Sequence, residues 1–189
     1  MKRALVFLCL AVAANAVRAE HVDVNLNDST LRGTYDAPMV GRLSGGVYEL
    51  GALLGERNDN SFQQLHLGLL ATGDAGARDA NVTAGLGGRL FLLNGEGGSD
   101  GGGLALVGMV EARLPAFNRV GVIAYAYGAP QASLFGDFDG WYEYAGSVDY
   151  QVLQGASVYL GFRQVKVDVD NAGTFTVDTG WHFGLRLKF

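Results

Sequence analysis

The chain has few of the residues that reactive or metal-binding sites use. Its 189 residues include a single cysteine, three histidines and three prolines. The cysteine, Cys9, lies near the start, so the rest of the chain has no thiol and no disulfide. No two histidines have the spacing of metal ligands on a helix, so no metal site is expected. Lysine is also scarce, because only Lys166 and Lys188 follow residue 19. No later segment has 18 consecutive apolar residues, which excludes a transmembrane helix.

The first residues have the layout of a secretory signal peptide. A basic start at residues 2–3 precedes an apolar run over 4–14, which is too short to span a bilayer. Small residues at the first and last positions of 17–19 favour cleavage after Ala19, and 14–16 offers an alternative. We therefore predict a signal peptide over 1–19.

Removal of the signal leaves an acidic domain over residues 20–189. Lys2, Arg3 and Arg18 are lost with the signal, so Lys+Arg falls from 14 to 11 against 19 acidic residues, a net charge of −8. Nucleic-acid binding needs a basic surface, so no nucleic-acid partner is expected. About 170 residues is the length of one domain.

Apolar and polar residues alternate with a period of two through most of this domain, which predicts β-strands. Ten segments show the pattern, from HVDVNLN near the start to FTVDTGWHFGLRLKF at the end. In the last segment, every second residue from Phe175 to Phe189 is apolar except Thr179. Connections between the segments carry no convincing helical period.

One of these segments, SVYLGFRQVKVDV, alternates with a change of phase. The apolar positions slip between Phe162 and Val165. We interpret the slip as a β-bulge near Arg163 and Gln164, because an extra residue in one strand reverses the faces beyond it.

The composition of the polar face decides between a soluble β-fold and a membrane barrel. A soluble, lipocalin-like barrel or a sandwich turns its polar face to water, whereas a membrane barrel turns it to the lumen. Here the polar face combines frequent glycine with Arg and Glu, and has almost no lysine, which is typical of a narrow lumen. We predict an all-β transmembrane antiparallel barrel, porin-like, an up-and-down meander of about ten strands. Eight is the alternative if the first two segments are not both membrane strands.

The connections between the segments predict which end of the barrel faces outward. GERNDN, NGEGGSDGGG, APQASLFGDFDG and DNAGT are polar or glycine-rich, and they alternate along the chain with the short LPAFN and LQGA. Two further linkers, APMVGRLSG and TGDAGARDA, are longer than this pattern predicts. Long extracellular loops and short periplasmic turns are typical of outer-membrane barrels, and an even strand count places both termini in the periplasm.

The second half of the chain contains an aromatic-Gly-Ala-Pro step at 127–130, DFDGWYEY and YQVLQGASVYLGFR, and HVDVNLND directly follows the signal. In these motifs and in its layout, most of the chain after the signal resembles the YfaZ family of small Gram-negative outer-membrane proteins. The resemblance implies an outer-membrane β-barrel located in the bacterial cell outer membrane, and it implies no established activity. Phe189 also looks like the C-terminal aromatic signal that the barrel-assembly machinery reads.

Charged residues on the polar face predict a charge network in the lumen. The side chains expected to form it are Glu49, Arg89, Glu111, Arg113, Glu143, Asp178, His182 and Arg186. Ion pairs across so narrow a lumen would plug it. Because loss of one partner leaves the other charge buried, Arg89→Ala or Glu111→Ala is expected to destabilise the protein by on the order of 3–5 kcal/mol.

Four aromatic residues are predicted to form a girdle at the membrane interface. They are Trp141, Tyr142, Tyr144 and Trp181. The expected partners are outer-membrane lipids and lipopolysaccharide, together with the barrel-assembly machinery during biogenesis. The protein is expected to be a monomer.

No catalytic, cofactor-binding or metal-binding residue is predicted. No serine stands in a Gly-x-Ser-x-Gly elbow or next to a histidine in the sequence. The favoured function is therefore a structural or surface role for a small outer-membrane barrel whose lumen is narrow or plugged by Arg/Glu pairs. A narrow pore for small solutes or ions is the alternative, and a lipid-modifying barrel enzyme is the second alternative.

Overall fold

The computed structural model describes residues 20–39, 45–57, 60–76, 80–95, 100–170 and 173–189. The predicted signal peptide and its cleavage site lie outside these residues, apart from Glu20 just after it. Within the described ranges, no helix has the length and hydropathy needed to cross a membrane.

Eleven β-strands account for most of the described chain. They are β1 (His21–Leu26), β2 (Thr30–Pro38), β3 (Gly46–Arg57), β4 (Asn60–Asp74), β5 (Asn81–Gly95), β6 (Gly101–Arg113), β7 (Val120–Pro130), β8 (Leu134–Gly136), β9 (Phe138–Leu153), β10 (Ala156–Val169) and β11 (Gly173–Lys188). Short 3-10 turns at Pro115–Phe117 and Gln131–Ser133 follow β6 and β7.

Ten of these strands form a closed ring. With β8 set aside, each strand pairs antiparallel with the next strand along the chain, and β11 pairs with β1 to close the ring. The three-residue β8 stands outside the ring order and pairs with Gly101–Gly103 of β6, beyond the end of β7. The prediction of an up-and-down barrel of ten strands is confirmed.

The apolar face of the sheet points outward. On β4, Leu65, Leu67 and Leu69 are each about half exposed, while Gln64 and His66 between them are buried inside the ring. A soluble barrel would have the reverse arrangement, so the soluble alternative is excluded. Ring closure also gives each of the ten ring strands a partner on both sides, which a sheet exposed to lipid requires.

The first strand begins and the last strand ends at the same end of the barrel, because His21 at the start of β1 pairs with Lys188 at the end of β11. We call this end the terminal end, and the opposite end the loop end. The connections between consecutive strands of the ten-strand ring at the loop end are residues 27–29, 58–59, 96–100, 131–137 (which include β8) and 170–172. Those at the terminal end are residues 39–45, 75–80, 114–119 and 154–155. The predicted contrast between long loops and short turns is therefore wrong, since strands extend into the glycine-rich segments.

The predicted bulge in β10 is also wrong. Arg163, Val165 and Val167 are all buried on the inner face, so β10 keeps one phase throughout. The inward side chains of β10 change from polar to apolar after Arg163. Apolar residues therefore move to the other set of alternate positions in the sequence, although the strand itself does not change phase. In the pairing of β10 with β11, the irregularity lies in β11, where Val177 is the extra residue between the partners of Val165 and Lys166. Val177 is consequently buried and does not face lipid.

Candidate functional site

Four charged side chains meet in the middle of the lumen, and we call them the central cluster: Arg32, Glu49, Arg89 and Glu143. Arg89 donates from Nη2 to Glu49 Oε1 at 2.5 Å and from Nη1 to Glu143 Oε2 at 3.1 Å. Arg32 Nη1 donates to Glu143 Oε1 at 2.5 Å. Two guanidinium groups and two carboxylates cancel in charge, and four strands (β2, β3, β5 and β9) supply them.

Two tyrosines of β7 complete the central cluster. The hydroxyl of Tyr125 donates to Glu143 Oε1 at 3.1 Å and accepts from Arg32 Nη1 at 3.0 Å. The hydroxyl of Tyr127 accepts from Arg89 Nη2 at 2.5 Å. These bonds occupy guanidinium protons that the carboxylates leave free, which buried charges require. The cluster thus bridges the lumen from β2 to β7 and β9.

A second group of polar side chains joins the strands where the barrel closes. Arg163 donates from Nε to Asp178 Oδ2 at 2.6 Å, from Nη1 to Asn25 Oδ1 at 2.9 Å and from Nη2 to Thr30 Oγ1 at 3.2 Å. Asn27 Nδ2 donates to the other oxygen of Asp178 at 2.7 Å. The group ties β10 and β11 to the first two strands of the chain.

Two further ion pairs lie nearer the terminal end. Arg186 Nη2 is 3.0 Å from Asp23 Oδ2, and Arg113 Nη2 is 2.7 Å from Asp149 Oδ2. Glu111 is 3.9 Å from the same Arg113 nitrogen and keeps 38% of its side chain exposed. The two aspartates are buried, whereas the arginines are about a quarter exposed.

The loop end of the lumen is filled by apolar side chains, which we call the apolar plug. Its centre is the contact between Phe91 and Trp141, whose ring centroids are 4.5 Å apart. The buried side chains around that contact are Leu93, Ala105, Val107, Ala129, Phe138, Val165, Val167 and Val177. The charge network therefore closes only the middle of the lumen, and apolar packing closes its outer part.

The position of Trp141 corrects the predicted girdle. Trp141 is 1% exposed and lies inside the barrel, because it shares the strand phase of Glu143. The other three girdle residues point outward: Tyr142 is 51% exposed, Tyr144 49% and Trp181 68%. Whether they lie at a membrane interface stays a prediction.

A cavity of about 360 Å³ occupies the part of the lumen that the plug does not fill. It is lined at the rim by Lys188 and Gln154, farther in by Arg113 and Arg186, and at its inner end by Arg89 of the central cluster. We call it the terminal vestibule. Its polar lining and its rim position give it access to water at the terminal end.

Glycines on the inner face make room for the large polar side chains of the lumen. Gly161 of β10 is paired with His182 of the neighbouring strand β11. A Cβ on Gly161 would lie 2.7 Å from the imidazole Nε2 of His182. Gly184 of β11 is paired with Tyr159 of β10, and the ring of Tyr159 fills the space that a side chain at residue 184 would need. The abundance of glycine thus follows from cross-strand pairing with bulky partners in a narrow barrel.

The predicted network residues all lie on the inner face, but in separate groups. Glu49, Arg89 and Glu143 meet in the central cluster, while Asp178 and Arg186 bind other partners. The residues that sequence reasoning left out of the network are Asp23, Arg32, His66, Asp149 and Arg163. Strand phase could have found the first four. The supposed bulge hid Arg163. Among the described residues, no group of three or more potential metal ligands is present.

Two solved structures and one family model show similarity to the chain. A KdgM porin chain has a TM-score of 0.41 and 10% identity, over 91% of this chain and 99% of that chain. A structure described as "Unveiling the Mechanism Behind the in-meso Crystallization of Membrane Proteins" has a TM-score of 0.45 and 9% identity, over 91% and 83%. No curated protein matches the chain. The family model described as "YfaZ precursor" matches residues 3–189, and the chain therefore belongs to the YfaZ family.

Proposed function

We propose that this protein is a small outer-membrane barrel whose lumen is closed to solutes and whose role is structural or at the cell surface. The observation that supports this most is the apolar plug at the loop end, centred on Phe91 and Trp141. Apolar constrictions exclude water and so block ions as well as polar solutes. Ten strands also leave little lumen beyond what side chains fill.

The central cluster supports a closed lumen independently of the plug. A selective pore needs charges that a passing solute can reach, whereas Arg89 and Glu143 are buried and already bonded to each other. Placement in the outer membrane rests on the apolar outer wall and on the predicted signal peptide.

A non-enzymatic role is supported by the environment of His182 in the lumen. Ser147 and His182 both lie next to Gly161, which is the arrangement closest to a catalytic pair in the vestibule. The Nδ1 atom of His182 is buried and has no hydrogen-bond partner among the described residues, so no carboxylate orients the ring. A serine–histidine base needs that third group.

The terminal vestibule is the feature that favours the narrow-pore alternative. It already opens part of the lumen to water, from Lys188 at the rim to Arg89 in the centre. A pore would need only the plug side chains to move aside.

Single-channel recording in planar bilayers distinguishes the closed barrel from the narrow pore. We expect no conductance steps from the wild-type protein. The Phe91→Ala/Trp141→Ala variant removes the plug centre and is expected to give small steps, whereas the outer-wall variant Trp181→Ala is the matched control and is expected to stay silent. Stepwise conductance by the wild-type protein would contradict the closed lumen and support the pore.

A further inference from the structure

The outer wall of the barrel changes from apolar to polar at a defined level near the loop end. On β10, the outward residues Leu160 and Phe162 are followed by Gln164 and Lys166. On β4, which lies directly across the ten-strand ring, the outward leucines end at Gln63. The two glutamines mark where the hydrocarbon layer ends, because the outer belt of a membrane barrel is apolar only over its hydrocarbon-facing part.

Polar groups at this level of β9–β11 are arranged next to one another. On the outer face, the hydroxyl of Tyr144 donates a hydrogen bond to the side-chain amide oxygen Oε1 of Gln164. Lys166 lies in register between Tyr142 of β9 and Thr176 of β11. The wall here thus combines an ammonium group with tyrosine and threonine hydroxyls, which is a set of hydrogen-bond donors.

In the part of the chain that the structure describes, Lys166 forms no salt bridge with a carboxylate. By contrast, Arg32, Arg89 and Arg163 inside the lumen are all paired. The next outward acid on the strand, Asp168, accepts a hydrogen bond from Thr174 at 2.6 Å. Lysine is costly at the centre of a bilayer but nearly neutral at its interface, where its stem snorkels.

The depth of Lys166 matches that of lipid phosphates. It lies two residues beyond Gln164, which is about 7 Å along the strand from the hydrocarbon boundary. An ammonium group at that depth, with aromatic neighbours, meets the headgroup layer and not the acyl chains.

We propose that Lys166, with Tyr142 and Thr176 beside it, forms a binding site on the outer wall for the phosphate of an anionic lipid in the loop-end leaflet. The charge complementarity of a phosphate and an ammonium group without a salt-bridge partner among the described residues carries the assignment. The site rests on the membrane placement in the proposed function, but it does not depend on the lumen being closed.

Native mass spectrometry of the refolded full chain tests the site. The probes are diphosphorylated lipid A, the same lipid with its phosphates removed, and inorganic phosphate alone. Lys166→Gln is expected to lower the affinity for the phosphorylated lipid about fivefold, the effect of one basic residue at an anionic surface. Lys188→Gln, which removes the inner-face lysine at the opposite rim, is the matched control and is expected to leave binding unchanged.

Each further arm supports or overturns the proposal. Lys166→Arg keeps the charge and is expected to bind as wild type, and inorganic phosphate is expected not to displace the lipid. Equal binding of the dephosphorylated lipid, equal loss in both glutamine variants, or displacement by free phosphate would overturn the site. Heat-dependent gel mobility confirms that each variant is folded. Conductance recordings are independent of this result, so failure here leaves the closed barrel untouched.

Discussion

At the scale of single residues, the lumen contains two kinds of charged side chain. Some are buried and bonded to one another, and others are partly exposed in the terminal vestibule. Arg89 is buried and bonded to two carboxylates and a tyrosine. Glu111 lies in the vestibule, more than a third exposed, at 3.9 Å from its nearest cation. A charge without water loses far more when its partner is removed than a charge in contact with water does. The two residues were expected to be equivalent from sequence, and the structure makes them different.

Replacement of these two residues is therefore expected to have unequal effects on stability. Arg89→Ala leaves Glu49 and Glu143 with one buried cation fewer and is expected to cost about 3–5 kcal/mol of unfolding free energy. Glu111→Ala is expected to cost at most about 1 kcal/mol. Urea titration in lipid vesicles, followed by tryptophan fluorescence, measures both. Equal losses in the two variants would mean that the central cluster is not the stabilising unit.

Strand phase predicts the direction of a side chain well and its partner poorly. Trp141 has the same phase as Glu143, so its inward position could have been read from the sequence, but its aromatic character suggested the interface instead. The partner of Glu143 could not be read in the same way, because Arg32 is 111 residues away. Contacts across a lumen depend on ring size and strand tilt, which a single strand does not encode.

At the scale of strands, glycine determines how closely neighbouring backbones and side chains approach. Gly87 on β5 has no room for a side chain, since a Cβ there would overlap the carbonyl oxygen of Leu69 on β4. That oxygen belongs to the neighbouring backbone and moves only if the pairing of β4 and β5 is disturbed. Gly128 on β7 has nothing within 4 Å of the same position.

A pair of alanine substitutions tests this difference. Gly87→Ala is expected to destabilise the barrel by about 1–3 kcal/mol, as overpacking does. Gly128→Ala is expected to change stability by no more than about 0.5 kcal/mol, as an unobstructed surface substitution does. Heat-dependent mobility on gels gives the folded fraction of each. A tolerant Gly87 together with a sensitive Gly128 would contradict the pairing geometry.

Glycine also explains why the strand ends were predicted less well than the strands. Residues Gly101–Gly103 read as a loop because they have no side chains to alternate, yet they form the first part of β6 and pair with β8. A Cβ on Gly102 would overlap the carbonyl oxygen of Phe91, so glycine is needed there for close strand pairing. A period-two pattern cannot identify a strand where consecutive residues are glycine, because no side chains alternate there.

At the scale of the whole molecule, the barrel differs at its two ends. Apolar packing around Trp141 closes the loop end, and the vestibule opens at the terminal end beside Lys188. Overall composition predicted a barrel with a polar inner face and an apolar outer wall, which is the arrangement observed. It could not predict the plug, because apolar residues on the inner face weaken the very alternation that identifies strands. This axial asymmetry matters for function only if the barrel has one orientation in the membrane.

Thiol labelling in whole cells tests that orientation. The chain has no cysteine after Cys9, so a single introduced thiol is unique once the predicted signal is removed. Ala132 at the loop end and Gln154 at the terminal end are both exposed, which makes Ala132→Cys and Gln154→Cys a matched pair. A maleimide carried on a polymer too large to cross the outer membrane is expected to label Ala132→Cys in intact cells. It is expected to label Gln154→Cys only after permeabilisation, because an even number of strands places the terminal end in the periplasm. Labelling of Gln154→Cys in intact cells, with Ala132→Cys protected, would mean that the barrel is inverted and that the plug faces the periplasm.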